Sequence, residues 1–65
     1  MPQSDHDEAV TAIIREALES AGASGLCREG QIELAVDRLR RAHPEIPPAV
    51  ALARVTAIAD RHGAD

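Results

Sequence analysis

The stretch GQIELAVDRLRRAHPEIPPAVALARVTAIAD, residues 30–60, carries two amphipathic helical patterns on either side of a proline-rich joint. Ile32, Ala35, Val36, Leu39 and Ala42 recur at spacings of three and four, and so do Ala51, Leu52, Val55, Ile58 and Ala59. Such spacing gathers apolar side chains on one face of a 3.6-residue helix. HPEIPP, residues 43–48, interrupts the pattern, because the residue before a proline avoids helical backbone angles. Pro47 or Pro48 suits the first turn of the next helix, where a missing N–H costs nothing. The reading is a helix over about 28–43, a stiff connector, and a helix over about 48–62 stopped by Gly63. Leu26 and Cys27 fall off the helical face and are expected to pack down from the preceding turn.

Working outward to the N-terminus, Val10, Ile13, Ile14, Ala17, Leu18 and Ala21 form a third stripe, on a helix over about 5–21. Ser4 and Asp7 have capping-box spacing, and Asp5, Asp7 and Glu8 place acid where the helix dipole favours it. Gly22 is the expected stop, and AGASG, 21–25, a flexible turn. Three amphipathic helices on short loops predict an all-α fold, a small three-helix bundle. The whole of 1–65 reads as a single helical domain, with a short polar segment at 1–4.

Composition narrows the function. Thirteen of the 29 apolar residues are Ala, 14 are Leu, Ile or Val, and aromatic residues are absent. That excludes recognition by aromatic stacking on bases, sugars or flavin rings. The large-aliphatic core is thin, and association with another chain is one way such a domain gains stability. The net charge is −4, all of it within residues 1–22, which hold five acids and one Arg. Phosphate binding needs several cations, and membrane-surface helices usually carry a basic polar face. The opening MPQSDHDE has neither a basic nor an apolar region of the kind secretory signals carry. A single cysteine fits a reducing compartment, and the expected location is cytoplasmic.

Candidate chemistry is sparse. Cys27 lies at a helix start beside Arg28, which makes it a candidate reactive thiol. As a small hydrophobe in the loop, it would instead lose about 1 kcal/mol of packing on replacement by Ser. Cys27, His43 and His62 could build a metal or redox site only across helices, since no two of them have ligand spacing on one helix. Phosphate-loop, nucleophile-elbow and dinucleotide motifs are absent from the sequence, and the expectation is a chain that is not an enzyme and needs no cofactor. Arg38, Arg40 and Arg41 form the one basic cluster, the basis of an alternative reading as a nucleic-acid-binding regulator. The last helix, however, opens PPAVALA, where a groove-reading helix presents polar and basic side chains.

Apolar residues off the stripes carry more. Leu34 points about 160° from Val36, among arginines, and Val50, Ala53 and Ala57 lie on the side of the last helix away from Val55. Small residues let a second helix approach closely. The expected partner interface is Leu34, Val50, Ala53 and Ala57, with Arg38 and Arg41 as rim charges that set orientation. The expected function is a small protein–protein interaction module, either a homodimer or an accessory subunit.

GLCREGQIELAVDRL, residues 25–39, resembles the loop and second helix of ubiquitin-associated domains, in which a Met-Gly-Phe/Tyr loop precedes a short helix. Gly25-Leu26 stands in the Gly-aromatic positions, with Ser24 in place of the Met and Leu26 in place of the aromatic residue. The resemblance implies a three-helix bundle; ubiquitin binding is not carried over, because the side chains at its loop motif are changed.

Overall fold

A computed structural model describes the backbone of residues 3–62 and the side chains of residues 8–61. It is an all-α three-helix bundle: α1 Gln3–Ala23, α2 Arg28–Ala42 and α3 Pro48–His62. Helix α1 packs most extensively on α2, α3 packs on α2, and the α1–α3 contact is the smallest. Because α1 begins at Gln3, Ser4 lies inside the helix rather than at its N-cap. The side chains of the expected Ser4–Asp7 capping box lie outside the described residues, as does Gly63.

The end of α1 departs from expectation. Gly22 belongs to the last turn, and the stop is Gly25, the glycine with left-handed backbone, φ 87°. The Leu26 N–H donates to the Ala21 carbonyl at 3.0 Å, and the Gly25 N–H donates to the Gly22 carbonyl at 3.0 Å. These are the two bonds of a Schellman motif, which satisfies carbonyls that a helix end leaves without partners. A left-handed position costs a side-chain-bearing residue about 1–2 kcal/mol, so Gly25→Ala is expected to lower stability by that amount. Gly30 is the opposite case. It sits inside α2 with ordinary helical backbone, and a Cβ there would meet the Leu26 side chain at 3.4 Å, an ordinary contact. Gly30→Ala should therefore raise stability by about 0.5–1 kcal/mol. Thermal melts of the two variants should move in opposite directions, by roughly 4–8 °C per kcal/mol in a domain of this size.

Helix α2 ends at Ala42, with His43 as its cap: the His43 N–H donates to the Leu39 carbonyl at 2.8 Å. Pro44 then opens a turn closed by the Ile46 N–H on the His43 carbonyl at 3.0 Å. The Pro47 carbonyl accepts from Ala51 at 2.9 Å, which puts Pro48 at the first position of α3.

The core is built from Val10, Ile14, Ala17, Leu18 and Ala21 on α1, Ala35 and Leu39 on α2, and Ala51, Val55 and Ala59 on α3. The α1 stripe is as read from the sequence, except that Ile13 is half-buried. On α2, Ile32 and Val36 pack only against the edge of the core, and Ala42 is exposed. On α3, Leu52 is 50% exposed rather than buried. The ridge Ala51, Val55, Ala59 is narrow, and Ile58 and Leu52 flank it about 60° to either side. The Ile58 flank faces α1, sharing a groove with Thr11, Arg15 and Glu19, whereas the Leu52 flank faces a cleft beside α2. Leu26 and Cys27 do not pack beneath the turn. Leu26 is 42% exposed and Cys27 is exposed, because the Schellman turn carries the chain outward over the start of α2.

Candidate docking groove between the second and third helices

The cleft beside Leu52 is an open groove of about 550 Å³. Helix α2 supplies Ile32 and Val36, one turn apart on one side. Helix α3 supplies Pro48 and Leu52, also one turn apart, and Pro44 of the connector closes one end. Local sequence produces this shape. The prolines fix how α3 leaves the joint, and the small ridge of α3 seats that helix on α2 through Ala51, Val55 and Ala59. The larger Leu52 is left at the rim of that contact.

Charged residues of both signs border the apolar floor. Glu33, Asp37, Arg40 and Arg41 line the α2 side in that order along the helix. Arg41 Nε donates to Asp37 Oδ2 at 3.1 Å, the i, i+4 pair its spacing suggests. Both side chains are more than half exposed, so the pair contributes at most a few tenths of a kcal/mol. A second ion pair, Arg28 with Asp60, ties the start of α2 to the end of α3 across the surface.

The expected interface residues Leu34, Val50, Ala53 and Ala57 do not line this groove, and they are not gathered into one surface. Val50 is 46% exposed, and Ala53 and Ala57 are exposed on α3. Leu34 is half-buried rather than on the wet side of α2. It lies about 160° around the helix from groove-lining Val36, so it sits on the flank turned away from α3 and cannot join Val50, Ala53 and Ala57. The basic cluster is divided in the same way. Arg40 and Arg41 line the groove beside two carboxylates, while exposed Arg38 lies on the Leu34 flank and is not a rim charge of this groove. The sequence holds no signal for this groove: Leu52 and Ile58 flank the ridge symmetrically, and the position of α1 decides which of them is left beside an open cleft.

The chemical candidates stay apart. Among the described residues, no group of three His, Cys, Asp or Glu side chains stands close enough to hold a metal ion. His43 Nδ1 lies 3.2 Å from Glu45 Oε2 within the turn, and the His62 side chain lies outside the described residues. Cys27 is the N-cap of α2, with extended backbone at φ −72° and ψ 174° and no side-chain hydrogen bond to the helix. That backbone is the one a capping side chain uses, so the expected sign of a substitution reverses. Cys27→Ser or Cys27→Asp should gain about 0.5–1 kcal/mol by accepting a first-turn N–H, instead of losing packing. Denaturant titration checks this; a loss of stability in both variants would show that the thiol packs after all. No described helix is long and apolar enough to cross a membrane.

No family model matches the chain, and no curated protein or solved structure matches it.

Proposed function

We propose that this chain is a non-enzymatic docking module whose α2–α3 groove receives the apolar ridge of a helix from a protein partner. The observation that carries this reading is Leu52, half exposed beside Ile32 and Val36 on the floor of a 550 Å³ groove. An apolar floor bordered by charges is the form in which helix-in-groove recognition buries its anchors and orients them. The groove is open along its length, which suits an elongated ridge better than a small molecule that must be enclosed. The exposed cysteine fits a reducing, cytoplasmic setting.

Leu52→Glu is the test, because it places a carboxylate in the groove without touching the core. Tagged wild-type chain, Leu52→Glu and Ala53→Glu are used to capture partners from an extract of the cells that make the protein, and captured chains are identified by mass spectrometry. A defined protein, either another copy of this chain or a different one, is expected with wild type and Ala53→Glu. It should fall at least about tenfold with Leu52→Glu, as for loss of a central apolar anchor. Equal capture by Leu52→Glu, with helicity unchanged, overturns the groove as the docking surface. Loss with Ala53→Glu instead would move docking to the Val50, Ala53 and Ala57 face.

A further inference from the structure

We infer that the occupant of the groove is a second copy of this chain, related by a two-fold axis that crosses α2 between Val36 and Asp37. The inference rests on the docking reading above and names its partner. Its basis is the order of charge along the groove. Read toward the C-terminus of α2, the lining runs Glu33, Asp37, Arg40, Arg41, acid first and base second. Glu33 and Arg40 are seven residues apart, two turns and about 10 Å along the same side of the helix. A two-fold axis perpendicular to α2 at their midpoint reverses that order in the second copy. Each Glu33 then faces Arg40 of the other copy, and the match occurs twice, as an isologous contact requires.

A parallel arrangement would set acid on acid and base on base. A strongly acidic or strongly basic partner would satisfy one half of the rim and meet like charge on the other. The rim carries two charges of each sign, and the same rim reversed about this axis matches Glu33 with Arg40 twice. Asp37 lies next to the axis, where two carboxylates approach, and each keeps its own Arg41 as counter-charge at 3.1 Å. Val36 sits beside the axis, and the same operation brings each Ile32 opposite Arg41 of the other copy, whose aliphatic stem lies across it. Leu52, half exposed beside Ile32 and Val36 in the monomer, borders this contact.

The experiment uses charge reversals at exposed rim positions, which leave the core untouched. The purified chain, Glu33→Arg, Arg40→Glu and an equimolar mixture of the two variants are compared by sedimentation equilibrium from micromolar to millimolar concentration. Wild type is expected to approach twice the 6.9 kDa chain mass. Each single reversal sets two like-charge pairs across the interface and should weaken association at least about tenfold. In the mixed dimer, the Glu33→Arg chain is basic at both rim positions and the Arg40→Glu chain is acidic at both. Each of the two contacts then joins opposite charges, so dimer forms again. Weakening by each single reversal together with recovery in the mixture supports the antiparallel register, because in a parallel register a single reversal only exchanges one like-charge pair for another; equal weakening in the mixture overturns it. Wild type that stays monomeric at millimolar concentration overturns the second copy. Should a different captured protein still depend on Leu52 in that case, the docking reading stands with another partner. Should the chain dimerise equally well as Leu52→Glu, the groove reading itself is overturned.

Discussion

Val55→Glu is expected to leave the chain unfolded at 25 °C. Val55 is fully buried, one turn from Ala51 on one side and from Ala59 on the other. A carboxylate there must either give up its hydration or take up a proton, and either route costs several kcal/mol. Loss of the valine burial adds about 1.5–2 kcal/mol. The surrounding ridge is alanine, packed closely against α2, so room for the longer chain comes only by moving α3. A domain of 65 residues has about 3–10 kcal/mol of total stability. The substitution removes most or all of it. Far-UV circular dichroism at 222 nm should show the helical signal lost, while Ala53→Glu, two residues away on the exposed side, keeps it. A cooperative melt of Val55→Glu near the wild-type midpoint would mean that α3 does not dock through this ridge.

The second large effect is a contrast between two leucines that the sequence pattern treats alike. Both Leu39 and Leu52 fall on apolar stripes. Leu39 is fully buried and Leu52 is half exposed in the groove. Leu39→Ala should cost about 2–5 kcal/mol, from lost burial plus the cavity left behind. Leu52→Ala should cost under about 1 kcal/mol in the isolated monomer, because its side chain already meets water. Urea titrations at low protein concentration, where association does not contribute, measure both. Similar costs for the two would place Leu52 in the core and remove the groove.

What the sequence reveals and conceals follows from the range over which each signal acts. Helices, the proline joint and the α1 stripe depend on neighbours within four residues, and all are legible. Which side of α3 gains a cover is decided by where α1 lies, and periodicity holds no record of that. Ile58 and Leu52 stand symmetrically about the ridge, and only their different neighbours separate them. Gly22 and Gly25 are equally plausible stops by composition. The choice falls to the one whose following residue, Leu26, can bond back to Ala21. The Arg28–Asp60 pair joins residues 32 positions apart and has no local signature. For the groove, the sequence does supply its floor and its rim, but assigns Ile32, Val36 and Leu52 to the interior; the Leu34 flank and the Val50 face take their place as the expected surface.

The uneven attachment of α3 bears on how the molecule opens. That helix is held by an alanine-rich ridge on α2 and by a small contact with α1. Regions with few buried apolar contacts open at lower free energy than the whole domain unfolds. Separation of α3, pivoting at the connector after His43, is therefore the first opening of this fold, and its amides should exchange with deuterium ahead of those in α1. An occupant that spans Val36 on one helix and Leu52 on the other staples the two together. Slower exchange would then extend along α3 as far as Ala59, a full turn and more beyond any residue the occupant touches.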